Sequence, residues 1–263
     1  MRPTLPLPSV PPIWREGLVG LDAAKLLRSA EWLGVGQAPG DGRAVLLIPG
    51  YLAGDASLAL MTRWLRRLGY RTRKAGIRSH VDCSTSVVDC LEDRLEHMAD
   101  ISGERVSIIG QSRGGIIARA LAKRRPDLVS GIVTLGSPNA GMLNIHPLVL
   151  GSVGVVGALG TLGVNHLFTF DCLFGECCRE FRESLHSATF PENVGYTGVY
   201  SKKDGIVAWK ACLDPAAKEL IEVHSSHCGM GFHPEVYGIV GRSLASFADA
   251  DDMPIWTDWA QAA

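Results

Sequence analysis

Short apolar runs alternate along the chain with longer stretches of mixed polarity. AVLLIPG (44–50) and RVSIIG (105–110) are continuous apolar runs, typical of strands that are buried on both faces of a parallel sheet. SVVDCLEDRLEHMADI (86–101) instead places its apolar residues three and four positions apart, which is the spacing of a helix. This alternation predicts an α/β fold, with a mostly parallel central sheet and helices on both faces.

The same patterns predict the remaining elements of the sheet and its helices. Further strands are expected at LVSGIVTLGSP, NVGYTGVYS and KELIEV, with YRTRKAGI as a weaker candidate. Further helices are expected over residues 14–33 and at SLALMTRWLRRLG, RGGIIARALAKRR and HPEVYGIVGRSLASF.

One stretch, PLVLGSVGVVGALGTLGVNHLFTF (147–170), breaks the alternation because it has no charged residue. It has about the length of a membrane span, which needs ~20 apolar residues. However, its glycines recur every third position from 151 to 163, and each costs a helix roughly 1 kcal/mol relative to alanine. We therefore expect a mobile apolar cap that covers a site, and not a membrane span.

These elements predict one large domain that carries an insertion. The division by residue number is 1–33 for a Pro-rich arm and first helix, 34–138 and 191–248 for the α/β core, 139–190 for a cap or lid, and 249–263 for a C-terminal tail. The tail is acidic and contains Trp256 and Trp259, which favours docking onto the body of the protein.

Composition narrows the classes of function. The 263 residues include 26 Lys and Arg against 27 Asp and Glu, so no charge excess favours nucleic acid as a partner. MRPTLPLPSVPP has five prolines and lacks the apolar run of a secretory signal, which predicts a cytoplasmic protein.

The seven cysteines form no C-x-x-C pair, which argues against a zinc site, and we expect neither metal nor cofactor. Cys212 and Cys228 flank candidate catalytic loops, so a disulfide between them would tie these loops together. Two buried thiols are the alternative, which a cytosolic setting favours.

The candidate nucleophile is Ser112, in the sequence Gly110-Gln111-Ser112-Arg113-Gly114, which matches G-x-S-x-G. A predicted strand leads into this motif and a predicted helix follows it, which is the setting that a nucleophilic serine requires. The turn must be strained to expose the hydroxyl, so Gly110 and Gly114 have to be small. A capping serine in a plain glycine-rich turn is the alternative interpretation.

A nucleophilic serine needs a base and an acid that orients the base. Asp204 follows the strand NVGYTGVYS directly and is the preferred acid, ahead of its rivals Asp171, Glu176 and Asp214. The base must come from HSSHCGMGFHPE, which offers His224, His227 and His233. His227 lies in a loop between small residues and is preferred, with His224 second.

The oxyanion of an acyl-transfer intermediate needs two backbone N–H groups. Arg113, which follows the nucleophile, supplies one, and its side chain is then free to face substrate or solvent. The loop after the strand AVLLIPG supplies the other, from the backbone of Tyr51, because Pro49 has no N–H. Ordinary packing is the alternative role of Tyr51.

Together, LIPGYLAGD, GQSRGG, TLGSP, YSKKDGIV and SSHCGM resemble the α/β-hydrolase superfamily, over roughly residues 40–248 apart from the glycine-rich insert. Within it, the chain is similar to serine esterases and lipases with P-G in place of the commoner H-G before the first oxyanion donor. The resemblance implies a triad of Ser112, Asp204 and His227, with Tyr51 and Arg113 as the oxyanion hole. It also implies that the region after TLGSP is a cap or lid.

The expected function is hydrolysis of a small-molecule carboxylic ester with a hydrophobic acyl or aromatic part. An acyltransferase or a thioesterase would use the same residues, and only access to the acyl-enzyme would differ. A protein of another class, which binds a membrane or a partner on the same fold without catalysis, is the third hypothesis. The uncharged stretch 147–170 supports that hypothesis and also leaves room for transient contact with a lipid surface.

Overall fold

A six-stranded sheet, in which all neighbouring strands run parallel, forms the centre of the protein. The computed structural model describes residues 13–186 and 189–252. The strands are β1 (Ala44–Ile48), β2 (Arg71–Lys74), β3 (Val106–Gln111), β4 (Val129–Leu135), β5 (Gly195–Tyr200) and β6 (Glu219–Glu222). Their order across the sheet is β2-β1-β3-β4-β5-β6. The predicted α/β fold with a parallel sheet is confirmed, and the weak candidate YRTRKAGI contains the edge strand β2.

The strands read as continuous apolar runs because both faces of the sheet are covered. In β1, Val45 and Leu47 pack into one hydrophobic core, whereas Leu46 and Ile48 pack into the core on the opposite face. Successive side chains of a strand point to opposite faces of the sheet. When a layer of helices covers each face, the side chains on both faces must be apolar.

The helices form these two layers and an additional group outside them. They are α1 (Val19–Leu26), α2 (Ala30–Leu33), α3 (Ala59–Arg67), α4 (Ser84–Ser102), α5 (Arg113–Arg124), α6 (Pro147–Thr161), α7 (Phe170–Phe174), α8 (Arg179–His186) and α9 (Pro234–Asp252). Helices α2, α3 and α9 contribute to the first core, and helices α4 and α5 to the second. Helices α6 to α8 lie within the predicted cap region.

The single helix that was predicted over residues 14–33 is wrong. Ile13–Leu18 forms a 3-10 helix, followed by α1 and then by the separate short helix α2. Ser29 causes the second break, because its hydroxyl accepts a hydrogen bond from the Trp32 amide at 3.1 Å and starts α2 as an N-cap.

The apolar stretch 147–170 contains the helix α6 and the turn that returns the chain to the core. No helix in the described part of the chain has both the length and the apolar character needed to cross a membrane. Helix α6 has 15 residues, which corresponds to about 22 Å against a hydrocarbon core of about 30 Å. Its apolar side chains are largely exposed, including those of Leu148, Val155 and Leu159.

Two predicted segments lie wholly or mostly outside the described residues. They are the Pro-rich arm at residues 1–12 and the C-terminal tail, of which only residues 249–252 are described, as the end of α9. The predicted docking of Trp256 and Trp259 therefore stays a prediction, as do the domain boundaries.

The glycines of α6 are of two kinds, which predicts opposite effects on stability. A methyl group on Gly151 or Gly154 would meet nothing within 4 Å, so replacement by alanine should stabilise α6 by up to about 1 kcal/mol each. A methyl group on Gly160 would overlap the carbonyl of Phe168, and Gly160→Ala should destabilise the cap by about 1–3 kcal/mol.

Thermal unfolding and amide hydrogen exchange of α6 would measure these effects in the three single variants. Slower exchange in Gly151→Ala and faster exchange in Gly160→Ala are expected, with the exchange of β3 unchanged. Equal effects of the three substitutions would contradict the packing of Gly160 against Phe168.

Candidate active site

Ser112 lies in a strained turn between the carboxyl end of β3 and the first residue of α5. Its backbone angles are φ 52° and ψ −122°, in a region that residues with a Cβ atom rarely adopt. The Ser112 amide donates a hydrogen bond to the Leu135 carbonyl at 2.8 Å, which holds the turn against the end of β4. A serine in this conformation projects its side chain beyond the carboxyl-terminal end of the strands.

Two glycines are required by the close packing of this turn. A Cβ atom on Gly110 would overlap the carbonyl of Gly114, and one on Gly114 would overlap the carbonyl of Ile48 at the end of β1. The expectation that both residues must be small is confirmed, because helix α5 begins in direct contact with the backbone of two strands.

Asp204 and His227 form a buried hydrogen-bonded pair. Oδ2 of Asp204 lies 2.6 Å from Nδ1 of His227, and the two residues are 1% and 5% exposed. The other carboxylate oxygen, Oδ1, accepts hydrogen bonds from the amides of Ile206 and Val207 at 2.8 and 2.7 Å. These bonds fix the carboxylate, so one oxygen orients the imidazole ring.

The surroundings of His227 favour its protonated form. Burial alone would lower the pKa of the ring, but the Asp204 carboxylate, through its charge and its hydrogen bond, and the charge of Glu16 outweigh burial and raise the pKa above its ordinary value. The site is therefore arranged to stabilise an imidazolium.

This pair lies beside the turn that carries Ser112. A Cβ atom on Gly136, the residue after β4, would lie 3.0 Å from Nδ1 of His227 and 3.2 Å from Oδ2 of Asp204. The side-chain amide of Gln111, the neighbour of Ser112, donates to the His227 carbonyl at 3.2 Å. The Asp204–His227 pair and the Ser112 turn thus both lie at the carboxyl end of the sheet, where ligands bind in parallel sheets of this kind.

The rival acids have other partners. Asp214 binds Arg119 at 2.5 Å and the Tyr196 hydroxyl at 3.0 Å, Asp171 accepts from backbone amides of its own loop, and Glu176 is paired with Arg179.

The rival bases are also placed differently. His224 is exposed to solvent, and His233 precedes helix α9. Cys212 and Cys228 are free thiols in the structure, so it contains no disulfide between the loops of Asp204 and His227.

Glu16, in the first 3-10 helix, is a residue that sequence reasoning missed. Its carboxylate accepts hydrogen bonds from the amides of Gly205 and His227, both at 3.0 Å, and of Cys228 at 2.7 Å. One side chain thus joins the loop of Asp204 to the loop of His227. The local sequence WREGL gave no signal for this, because the contact spans about two hundred residues.

The loop after β1 passes directly beside Ser112. A Cβ atom on Gly50 would lie 3.1 Å from the Ser112 Cβ and 3.8 Å from its Oγ. His80, which is fully buried, contacts the Pro49 carbonyl through Nδ1 at 2.8 Å. Burial and the charge of Arg113 lower the pKa of His80 to about 3, so a neutral ring donates this bond and holds the loop that leads to Tyr51.

Arg113 opens helix α5, where the first N–H groups have no acceptor within the helix. The sequence-based prediction that its side chain is free to face substrate or solvent is wrong. The guanidinium donates to the carbonyls of His80 at 2.8 Å and Asp82 at 2.5 Å and to the Ser84 hydroxyl at 3.1 Å. Burial lowers the pKa of Arg113 to about 10, and the group stays charged near neutral pH.

The insert is attached to the loop of Asp204 and to the loop after β1. At its start, Ile145 pairs with Val207, and the His146 amide donates to the Ile206 carbonyl at 2.7 Å, within the loop of Asp204. Helix α6 then contacts the loop after β1, where the Ser152 hydroxyl lies 3.4 Å from the Tyr51 hydroxyl. The insert thus contacts the loop of Asp204 and the loop after β1, which itself passes beside Ser112.

A separate depression of about 810 Å³ lies away from Ser112. It is lined by Glu104, Ser107, Ser130, Asn193 and Phe247, among other residues, at the amino-terminal edge of the sheet. Ser112, Asp204 and His227 are not among its lining residues, and we assign it no role in the chemistry.

Several solved structures with a similar fold are lipases and esterases. A Bacillus licheniformis lipase in its mature form is 16% identical, with a TM-score of 0.59. The match covers 80% of this chain and 94% of the lipase. A metagenomic carboxyl esterase is 14% identical, with a TM-score of 0.59, and the match covers 81% of this chain and 78% of the esterase. A soluble variant of the Saccharomyces cerevisiae monoglyceride lipase is 14% identical, with a TM-score of 0.55, and the match covers 82% of this chain and 91% of the lipase. At these identities the likeness establishes the α/β-hydrolase fold.

Sequence comparison assigns the chain to a family within this fold. No curated protein matches the chain in sequence. Residues 60–196, just over half of the chain, match the family described as palmitoyl protein thioesterase. The matched range contains Ser112 and ends before Asp204 and His227. The fold and the family together place the protein among hydrolases of the esterase, lipase and thioesterase kind. The chain belongs to the palmitoyl protein thioesterase family of α/β-hydrolases.

Proposed function

We propose that the protein is a serine hydrolase that cleaves an ester of an apolar carboxylic acid through an acyl-enzyme on Ser112. The observation that carries this proposal is the strained backbone of Ser112 beside a buried Asp204–His227 pair. Strain of this kind persists only where the surrounding structure enforces it, and here it exposes a hydroxyl at the edge of the sheet. A capping role for Ser112 would not require it.

In the proposed reaction, His227 is the general base. Nε2 accepts the Ser112 proton as Oγ attacks the ester carbonyl, and the imidazolium then returns this proton to the leaving alcohol. Water enters, gives a proton to His227 and attacks the acyl-enzyme, which releases the acid and restores Ser112. Asp204 holds Nδ1–H and stabilises the imidazolium throughout, and the raised pKa of His227 supports this assignment.

The proposed oxyanion hole consists of the backbone amides of Tyr51 and Arg113. Two features support it: the loop after β1 touches Ser112 at Gly50, and Arg113 presents its amide at the first position of a helix. Preorganised amides of this kind stabilise the charge that develops on the carbonyl oxygen, typically by about 3–4 kcal/mol for each donor.

The insert indicates the character of the acyl group. Its helix α6 carries exposed apolar side chains and contacts Tyr51, the residue that follows Gly50. Apolar surface next to a nucleophile gains free energy by covering a hydrocarbon chain, at about 25 cal/mol for each Å² removed from water. We infer a substrate with an acyl chain or an aromatic part, and a cap function for residues 139–190.

A thioester is the second candidate substrate, and the family match favours it. The same nucleophile, base and oxyanion donors serve both substrates, since the bond to the carbonyl carbon differs only in its leaving atom. The two are distinguished by comparing kcat/KM for an oxygen ester and a thioester that share an octanoyl chain. A thioester preference above about tenfold, or ~1.4 kcal/mol, would assign the second candidate.

Replacing the proposed nucleophile provides the central test. Ser112→Ala should reduce kcat/KM for both octanoyl substrates by at least about 10³-fold, because no acyl-enzyme can form. The same variant should fail to react with a fluorophosphonate probe that labels the wild type.

Ser107→Ala is a matched control, since Ser107 lies near the start of β3, at the end of the strand opposite to Ser112, and its hydroxyl hydrogen-bonds to that of Ser130 at 2.8 Å. It should keep its activity and its labelling. Wild-type turnover by a folded Ser112→Ala variant would refute the proposal, and so would a wild type that is inert toward the probe.

The charge of Glu16 predicts a shift in the pH profile. Glu16 raises the pKa of His227, so activity should fall as the pH drops through a value above that of an ordinary histidine, about 6.5. Glu16→Gln removes this charge, lowers the pKa of His227 and should move the acid limb of kcat/KM to lower pH.

The acid limb of the kcat/KM profile is measured with the octanoyl ester between pH 5 and 9, a range that brackets the ordinary histidine pKa of about 6.5. Glu104→Gln, a neutralisation at the opposite edge of the sheet, should leave the limb unchanged. A limb that stays fixed or moves to higher pH in Glu16→Gln would contradict the proposed coupling.

A further inference from the structure

Four of the seven cysteines meet outside the proposed active site. They are Cys83, before helix α4, and Cys172, Cys177 and Cys178 of the insert, whose sulfur atoms all lie within 4.8 Å of one another. The Cys83 Sγ is 3.3 Å from that of Cys178 and 3.6 Å from that of Cys177, which is also 3.6 Å from the Cys172 Sγ. All four are free thiols in the structure.

This spacing fits a tetrahedral metal centre. A Zn–S bond of about 2.3 Å places the corners of a tetrathiolate site about 3.8 Å apart. The separations of 3.3 and 3.6 Å are close to this value, all four sulfur atoms lie within 4.8 Å of one another, and none of the four is joined in a disulfide. Four soft sulfur donors and no carboxylate or imidazole in the set favour zinc over magnesium or calcium.

We propose that Cys83, Cys172, Cys177 and Cys178 form a structural zinc site that fastens the insert to the α/β core. Each cysteine loses its proton on binding, and the four thiolates with one Zn²⁺ carry a net charge of −2. All four coordination positions are then occupied by protein ligands, as in structural sites, so the metal has no role in the ester chemistry.

The loop that supplies three of the ligands is ordered by its own hydrogen bonds. The Asp171 carboxylate accepts from the amides of Glu176 and Cys177, both at 3.2 Å. Arg182 donates to the Cys172 carbonyl at 2.8 Å and also to the Gly175 carbonyl. Contacts of this kind orient ligands before a metal binds, and they give Asp171 a structural purpose.

Positive charge on the core side suits an anionic centre. Cys83 precedes the 19-residue helix α4, whose amino-terminal end favours a thiolate. The Arg113 guanidinium is bound to the Ser84 hydroxyl and the Asp82 carbonyl, on both sides of Cys83. Arg113 therefore links the cysteine cluster to the turn that carries Ser112.

The site explains how a weakly packed insert keeps its position. Beside this cluster, the insert also contacts the core through a small apolar group that includes Val81 and Phe168, with the Phe168 amide donating to the Val81 carbonyl at 2.7 Å. A metal shared between Cys83 and three insert residues cross-links the two parts, which stabilises the seated state.

The spacing of the cysteines explains why the sequence argued against zinc. The ligands read C-x4-C-C with a fourth cysteine 89 positions upstream of the first, so no C-x-x-C pair is present. The absence of that motif does not prevent a tetrathiolate site, because a turn with two adjacent cysteines brings three sulfur atoms together here. We withdraw the expectation of no metal.

The test is the metal content of the full chain, expressed with zinc and purified in a non-thiol reductant. Inductively coupled plasma mass spectrometry should find about one zinc per chain in the wild type, as expected for a four-ligand site. Exchange for Co²⁺ should give the intense visible and near-ultraviolet bands of a tetrahedral cobalt tetrathiolate. Chelation should lower the Tm and speed proteolysis within residues 147–178.

Matched serine variants locate the site. Cys177→Ser, at an exposed ligand, and Cys178→Ser, at a buried ligand, should lose zinc. Cys90→Ser, exposed, and Cys212→Ser, buried, lie outside the cluster and should keep it. Cobalt titration of the wild type does not depend on whether a variant folds.

Three results would overturn the proposal. The first is reduced wild-type protein with neither zinc nor cobalt bands, and the second is loss of zinc from Cys90→Ser as well. The third is a denatured, chelator-treated sample, never exposed to reductant, in which only three of the seven cysteines titrate, since this would identify two disulfides. Activity of the Ser112 site does not enter any of these measurements.

Discussion

The close packing of β3, the Ser112 turn and α5 against the end of β1 is the constraint on which the rest of the site depends. Helix α5 starts where Gly114 touches the Ile48 carbonyl, and this contact leaves no room for a Cβ atom. Since the turn cannot relax outward, Ser112 keeps a positive φ and stays at the edge of the sheet. The same contact brings the loop after β1 to the serine, so one packing requirement positions both the proposed nucleophile and the proposed oxyanion donors.

The proposed acid and base come from loops after other strands, and a buried carboxylate keeps them together. Asp204 uses one oxygen for its own loop and the other for His227, which leaves the ring few orientations. Glu16 then joins both loops from the opposite side through three backbone amides. Two negative groups beside one buried histidine favour its cation, which is the state that a general base must reach during acyl transfer.

The insert is held in place by a few attachments, and not by extensive packing as the core is. Its main helix buries little apolar surface and contains glycines with open space around them, so packing alone gives it little stability. Its attachments include the strand-like pairing of Ile145 with Val207, the apolar contacts around Phe168, the cysteine cluster and helix α8, whose Leu185 carbonyl accepts from Arg119 at 3.2 Å. An element that is weak in itself but anchored at its two ends suits a cap, because its middle can open while its ends stay in place.

The sequence by itself determined the parallel α/β fold, the bounds of most strands and helices, and the candidates Ser112, Asp204 and His227, because buried strands and the G-x-S-x-G turn leave patterns within a few residues. Only the tertiary structure decided the break at Ser29, the orientation of the Arg113 side chain, the role of Glu16 and the meeting of four cysteines. These features depend on contacts between residues that are distant in the chain or on competition between local hydrogen bonds. Periodicity carries no information about such contacts, since it reports only which face of an element is buried.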